Sequence, residues 1–263
     1  MKFKQKILAG LVGVGLMAGA VSTMAAPQTN FTPAQKSEIQ NIVKDYLIQN
    51  PEVLVEVSKA LQAKQQDAML KQANNAIAQN ANVLFNADSS PYSGNAKGDV
   101  TIVEFFDYQC VHCKKMAPVI NSLLSNNANV RIIYKDFPIF GKSSVFAAEA
   151  VLAAQLQGKY HALHDALLKK EQRLSQAVIL KTADEVGINT AKLKKDMKSE
   201  AVQKALMENR ALAEKLRLMG TPAFIVGSTP NGKFRVGSEP FFVPGAASEE
   251  TLTDLVQKAA MGK

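Results

Sequence analysis

The chain has 263 residues, of which 47% are hydrophobic, and a formal net charge of +8 at pH 7. This length allows a buried core without any cross-link. The basic residues are spread along helical segments and are not interleaved with aromatic residues, which argues against a nucleic-acid-binding protein.

Residues 1–25 have the pattern of a secretory signal peptide. A basic start precedes an apolar run at residues 7–21, and small residues surround Ala25. The run is shorter than the roughly 20 residues that a membrane-spanning helix needs, which favours cleavage after Ala25 over an uncleaved anchor. We therefore expect an exported protein that resides in the periplasm.

Two helices are predicted within residues 26–85. Thr32 and Pro33 mark the start of the first helix, and Asn50-Pro51 separates it from the second. The second helix is long and polar, and its narrow apolar stripe cannot form a core alone. It needs either the body of its own chain or a second copy, and we favour the copy because a narrow stripe suits a helix–helix seam. The stripe consists of Leu54, Val57, Leu61 and Ala68.

This arm at residues 26–85 is therefore interpreted as a dimerisation arm, with a homodimer formed through residues 26–80. Residues 86–97 are rich in Asn, Ser, Pro and Gly and are predicted to be a linker. A folded domain is predicted at residues 98–263.

Within that domain, apolar strands are predicted at residues 100–106 and 130–134, with a helix between them. This strand–helix–strand unit implies a parallel pair. Residues 143–219 are almost entirely helical and interrupt the strands as an insertion. A hairpin is predicted next, with strands at residues 223–226 and 233–236, and a final helix begins after Ser248.

Cys110 and Cys113 are the only cysteines in the chain, and they lie where the first strand ends and a helix begins. Unpaired backbone N–H groups and the helix dipole favour a thiolate at such a position. His112, when protonated, adds positive potential. A chain of this size in an oxidising compartment does not need one short disulfide for stability, so we predict a redox-active disulfide and no other cofactor.

A zinc site is the alternative use of the cysteine pair. A structural zinc site needs four ligands, and the chain has no second cysteine pair. His161 and His164 are three residues apart on a predicted helix and could supply two more ligands. Because this ligand set is incomplete without a second cysteine pair, we predict no metal.

Several segments resemble the DsbA-like thiol:disulfide oxidoreductases of bacterial envelopes. The resemblance implies an α/β thioredoxin fold with an all-helical insertion, preceded by an N-terminal helical dimerisation arm. The arm at residues 46–52 resembles the N-terminal extension of the dimeric members. The matching segments are residues 103–106, 110–113, 137–141, 147–150, 160–167 and 220–224.

The resemblance assigns roles to the cysteines and to the loop beside them. Cys110 matches the attacking cysteine and Cys113 the resolving one. Pro222 matches the family's cis-proline, which lies beside the cysteines and pairs with the substrate backbone. Thr221 is of the type found in the family's isomerases, whereas the first-described oxidases carry valine there.

Glu104 matches an acidic residue that lies beneath the disulfide and helps to move the proton of Cys113. Glu104 could instead be an ordinary strand residue that faces solvent. Its neighbours in the strand are apolar, which favours the buried position. Lys135 is a candidate ion partner for the carboxylate.

The sequence thus predicts an exported protein thiol-disulfide oxidoreductase that forms or isomerises disulfides in envelope proteins. Its expected partners are cysteine-containing exported proteins and a DsbB-like or DsbD-like membrane redox protein. The alternative is a periplasmic chaperone in which the thiols are secondary. The sequence does not decide between oxidase and isomerase.

Overall fold

The structure, a computed structural model, describes residues 31–87 and 89–262. The predicted signal peptide at residues 1–25 lies outside these residues. The chain forms two compact units, the first ending at Leu61 and the second beginning at Gln62.

Within residues 31–87 and 89–262, no helix is both long and apolar enough to cross a membrane.

The first unit consists of helix α1 (Pro33–Gln49) and the first turns of helix α2 (Glu52–Phe85). Thr32 caps α1, as its sequence predicts, and the structure adds a reciprocal capping box with Gln35. No residue of α1 is buried. Many apolar side chains of this unit are therefore exposed, namely Ile39, Ile42, Val43, Tyr46, Ile48, Leu54, Val55, Val57 and Leu61.

The second unit is built around a five-stranded sheet in the order β1-β3-β2-β4-β5. Strands β2 and β3 are parallel, and the other pairs are antiparallel. The parallel pair confirms the predicted strand–helix–strand unit and the thioredoxin fold. The strands are β1 (Tyr92–Gly94), β2 (Val100–Phe106), β3 (Val130–Asp136), β4 (Ala223–Ser228) and β5 (Phe241–Pro244).

Helix α3 (Val111–Asn126) connects β2 to β3, and α9 (Glu249–Ala260) ends the fold. Five helices lie between β3 and β4, where the sequence predicts an all-helical insertion. They are α4 (Lys142–Gln155), α5 (Tyr160–Leu168), α6 (Gln176–Glu185), α7 (Thr190–Asp196) and α8 (Glu200–Lys215).

Side chains of β2 alternate between two hydrophobic clusters on opposite faces of the sheet. Ile102 and Phe106 belong to one cluster, together with both cysteines and residues of α3, α5 and α9. Val103 and Phe105 belong to the other, together with residues of α2 and α8. The cysteines therefore share a face of the sheet with Glu104, which lies between Val103 and Phe105 in the strand.

The C-terminal part of α2 packs on the sheet of its own chain. Ile77, Leu84 and Phe85 are fully buried in the second cluster. Phe85 stacks on Phe234 with ring centroids 5.2 Å apart, and its ring occupies the space that any side chain at Gly227 would need. The sequence left two partners open for this helix, the body of its own chain or a second copy. For the C-terminal part of α2, the partner is the body of its own chain.

The two edges of the sheet differ from the sequence prediction. The predicted linker at residues 86–97 contains strand β1, which pairs antiparallel with β3. The prediction of a strand at residues 233–236 is wrong, because β4 instead pairs with β5 at Phe241–Pro244. Between the two strands predicted for the hairpin, residues 230–232 form a short 3-10 helix in which Asn231 has a φ of 56°.

Candidate active site

Cys110 lies at the junction of a buried strand and a helix, because β2 ends at Phe106 and α3 begins at Val111. Its side chain is the N-cap of α3 and accepts a hydrogen bond from the backbone N–H of Cys113 at 3.4 Å. A sulfur at an N-cap takes the place of the usual hydroxyl or carboxylate acceptor. The first turn of α3 thus favours a negative charge on Cys110.

The loop before β4 lies directly against Cys110. The bond between Thr221 and Pro222 is cis, as the resemblance implies. The Cys110 thiol donates a hydrogen bond to the backbone carbonyl of Thr221 at 3.2 Å. The structure therefore brings both cysteines, Thr221 and Pro222 together at one place.

The two free thiols differ sharply in acidity. Hydrogen bonding from the Cys113 thiol is the main cause that lowers the pKa of Cys110 to about 5, against the opposing effect of burial. The Thr221 side chain and the backbone N–H groups of Cys113 and His112 also stabilise this thiolate. Burial raises the pKa of Cys113 far above that of an ordinary thiol, and the neighbouring Cys110 and Glu104 add to the rise.

The first turn of α3 presents Val111 and His112 to solvent, where Val111 is 62% exposed. His112 therefore contributes through its backbone N–H, and its imidazole lies on the outside of the site.

Glu104 is buried on the cysteine side of the sheet, with 5% of its surface exposed. Burial raises the pKa of its carboxyl to about 8, and the charge of Cys110 adds to the rise. An acid with this pKa can exchange a proton with a neighbouring thiol near neutral pH.

Lys135 is not the ion partner of Glu104. It lies in β3 opposite Phe105, so its side chain projects from the other face of the sheet. Its ammonium donates a hydrogen bond to the Ser90 hydroxyl at 2.7 Å. The prediction from sequence is wrong because the strand register was not known.

Asp107 is a site residue that the sequence analysis missed. Its carboxylate accepts hydrogen bonds from the backbone N–H groups of Gln109 and Ile139, both at 2.7 Å, and of Phe140 at 3.1 Å. These bonds join the turn before Cys110 to the loop after β3. Its position directly after a buried strand is the sequence feature from which Asp107 could have been identified as a site residue.

A second group of buried polar side chains lies behind the cysteines. The hydroxyl of Tyr108 and Nδ1 of His164 are 3.0 Å apart. Burial lowers the pKa of His164 to about 3 and raises that of Asp136 to about 8, so neutral forms are favoured. The hydroxyls of Tyr108 and Tyr160 oppose this rise in the pKa of Asp136.

The two histidines of the zinc alternative have different surroundings. His164 is buried against Tyr108, whereas His161 is exposed and lies 3.4 Å from the Ser93 hydroxyl. Over residues 31–87 and 89–262, no group of three or more His, Cys, Asp or Glu residues is placed to hold a metal ion.

Comparison with known families gives two matches along the chain. Residues 101–257 match the DSBA-like thioredoxin domain. Residues 35–68 match the family described as copper resistance protein ScsC N-terminal domain.

Two solved structures and one curated protein illustrate the similarity. BcfH of Salmonella enterica Typhimurium is 32% identical with a TM-score of 0.69, covering 86% of this chain and 96% of that one. A thioredoxin-like oxidoreductase from Silicibacter pomeroyi is 39% identical with a TM-score of 0.63, covering 68% and 97%. The thiol:disulfide interchange protein DsbA of Bordetella pertussis is 25% identical over 145 residues, which are 52% of this chain and 68% of that protein.

Two other curated relatives are much longer than the matched region. They are the Na(+)/H(+) antiporters NhaA 3 of Salinispora tropica and NhaA 1 of Salinispora arenicola, 26% and 28% identical. The chain spans 23% of the length of each.

Proposed function

This chain belongs to the DSBA-like thioredoxin domain family, and from that premise we propose that it is a protein thiol-disulfide oxidoreductase with Cys110 and Cys113 as its redox pair. The observation that carries the proposal is the geometry at Cys110, whose sulfur accepts a hydrogen bond from the backbone N–H of Cys113 and lies 3.2 Å from the Thr221 carbonyl beside the cis-proline. Hydrogen bonding from Cys113 lowers the pKa of Cys110 to about 5, while burial raises that of Cys113. A low pKa makes Cys110 both a good nucleophile near neutral pH and a good leaving group.

In the oxidase direction, a substrate thiolate attacks Sγ of Cys110 in the Cys110–Cys113 disulfide. A substrate–Cys110 disulfide forms and the sulfur of Cys113 leaves with the electron pair of the broken bond. Because Cys113 is strongly basic as a thiolate, it takes a proton, and Glu104 is the nearby acid that we assign to this transfer. A second substrate thiolate then attacks the bound substrate sulfur, and Cys110 leaves as a stable thiolate.

In the isomerase direction, the reduced protein starts the reaction, and the Cys110 thiolate attacks an incorrect substrate disulfide. Thr221, placed against Cys110 before the cis-proline, supports a mixed oxidase and isomerase role. We propose that the protein acts on exported cysteine-containing proteins in the periplasm and that a DsbB-like or DsbD-like membrane protein resets it. Thiol alkylation of cells distinguishes the roles, because an oxidase is kept oxidised and an isomerase reduced.

Titration of the Cys110 thiolate tests the proposal directly. We expect the thiolate absorbance at 240 nm of the reduced protein to appear with a midpoint near pH 5. In Cys113→Ala the midpoint should move upward, because the Cys113 thiol is the main hydrogen-bond donor that stabilises the thiolate. Ionisation of Cys110 near the pKa of about 8.5 of a free cysteine would overturn the proposed function.

The exposed apolar residues of the first unit support a homodimer formed through the N-terminal helices. Isolated exposed apolar residues are ordinary, but ten of them within residues 31–61 form a surface that association would bury. The proposed dimer places this surface in a helix–helix seam.

We expect sedimentation equilibrium of the full chain to give the mass of two chains. Ile42→Glu with Tyr46→Glu, one turn apart on α1 and both exposed, should shift the mass to one chain because each places a charge in the apolar seam. Gln40→Glu with Lys44→Glu, at the same spacing on the same helix, is the matched control and should leave the mass unchanged. A single-chain mass for the unaltered protein contradicts the dimer.

The chaperone alternative is favoured by the same exposed surface, and it predicts that a protein lacking both cysteines still suppresses aggregation. Removing residues 26–80 would not test it, because that deletion also removes Ile77, which is fully buried in the second unit.

A further inference from the structure

Helix α3 carries a lysine at a position where its own backbone does not favour one. Lys114 is the fourth residue of α3, and its backbone N–H donates a hydrogen bond to the carbonyl of Cys110 at 3.1 Å. The positive end of the helix dipole lies at this terminus, and the first turn of α3 contains no acidic residue. A cation here therefore destabilises the helix slightly unless a negative group lies nearby.

The loop between α5 and α6 holds the Lys114 ammonium in place. The ammonium donates a hydrogen bond to the backbone carbonyl of Lys170 at 2.8 Å, and the Lys114 side chain is partly buried. Gln109 fixes the same loop, because its side-chain amide donates to the carbonyl of Leu174 and accepts from the N–H of Leu174, both at 3.0 Å. The two anchoring side chains lie on either side of the cysteine pair in the sequence, so the loop is fixed to the turn that carries Cys110.

The geometry of the helix directs Lys114 toward the reactive sulfur. Helical side chains lean toward the N-terminus of their helix, and residues four apart lie on the same side. Lys114 is four residues after Cys110, so its charge lies on the side of α3 where the thiolate forms. Burial lowers the pKa of Lys114, whereas the charges of Asp107 and Cys110 oppose that fall. Because this attraction is mutual, the lysine stabilises a negative charge on Cys110.

The neighbouring basic side chains at the start of α3 have different surroundings. His112 and Lys115 are exposed to solvent. Water and salt screen the charge of an exposed group, whereas a partly buried charge that is held in one place acts more strongly on its neighbours. The ammonium of Lys170 itself pairs with Glu185 at 3.2 Å, which leaves its backbone carbonyl to hold Lys114.

We propose that Lys114 is a positioning residue for disulfide exchange, and that its ammonium, held by the Lys170 carbonyl, keeps a positive charge beside Cys110 whenever that sulfur becomes a thiolate. The inference rests on the proposed function and adds a residue that tunes it. The thiolate forms when Cys110 leaves a mixed disulfide and when the reduced protein is at rest. Lys114 therefore favours release of the oxidised substrate and makes the Cys110–Cys113 disulfide a stronger oxidant.

Lys114→Gln in the full-length protein removes the charge but keeps a hydrogen-bond donor. We expect the midpoint of the thiolate absorbance to rise by about 0.5 pH unit, the effect of one partly exposed charge near the sulfur. Equilibration with glutathione is the second measurement, in which two glutathione thiols reduce the protein disulfide and form glutathione disulfide. At pH 7 the reduced protein should be disfavoured about threefold, which is the same shift expressed as an equilibrium constant.

Two further variants separate charge from position. Lys114→Arg keeps the positive charge, so both measurements should stay close to those of the unaltered protein. Lys115→Gln is the matched control, because it makes the same change at the adjacent exposed residue, about 100° further round the helix. It should shift neither the thiolate midpoint nor the equilibrium with glutathione.

An unchanged midpoint in Lys114→Gln would overturn the proposal. An equal shift in Lys115→Gln would also overturn it, because the cause would then be net charge, and an equal shift in Lys114→Arg would overturn it because the cause would be lost packing. The proposed function fails separately, if glutathione does not reduce the unaltered protein or if Cys110 of that protein ionises like a free cysteine.

Discussion

Replacing Cys110 by alanine is expected to abolish catalysis of insulin reduction by dithiothreitol and of the refolding of a scrambled disulfide substrate. The loss should be at least about a hundredfold, because the reacting nucleophile is removed. Cys113 cannot substitute for it, since burial keeps Cys113 protonated near neutral pH.

Cys113→Ser provides the contrasting variant. It keeps the attacking sulfur but lacks the resolving one, so it should accumulate substrate joined to Cys110, visible as a high-mass band in non-reducing gels. Cys110→Ala should show no such band. Substantial catalysis by Cys110→Ala would rule out the assigned roles of the two cysteines.

The second large effect concerns stability and its dependence on pH. Glu104→Gln is expected to make the folded protein more stable by about 3 kcal/mol at pH 7. Burial raises the pKa of Glu104 from 4.5 to about 8, so the folded protein binds more protons than the unfolded chain between these pH values. The contribution of Glu104 to stability therefore falls as the pH rises from about 4.5 to 8 and is constant above that range.

The gain from Glu104→Gln should follow the same course, small at pH 4 and increasing up to about pH 8. Urea unfolding of variant and unaltered protein at each pH gives this difference, in which the contributions of other groups cancel. Glu250→Gln, at an exposed position in the first turn of α9, is the control and should change little. A gain for Glu104→Gln that is the same at pH 4 and pH 8 would contradict the assigned burial effect.

Much of the fold was predictable because strong local patterns matched the final structure. The apolar run of β2, the Cys110 and Cys113 spacing and the Thr221-Pro222 segment each carry a distinct signal within a few residues. Thr32 as N-cap, followed by Pro33, likewise defines where α1 begins. These signals identified the thioredoxin fold and the residues that meet around the thiols.

The features that sequence reasoning missed depend on long-range contacts. Strand β1 is only three residues long and largely polar, so it resembles a linker until it pairs with β3. A Pro-Asn-Gly segment is typical of a tight hairpin, yet β4 pairs with residues farther along the chain. Asp107 and Asp136 differ from ordinary loop and strand acids only through what surrounds them in the folded protein.

The ring of Phe85 that lies over Gly227 has a practical consequence for protein engineering. A fragment that starts at Gly98 would lose this ring, Leu84 and Ile77, and it would leave an apolar face of the sheet open to water. It would also lack the edge strand that protects β3 from pairing with other chains. Chimeras and shortened forms that keep the second unit intact must therefore retain the chain from about Gln62 onward.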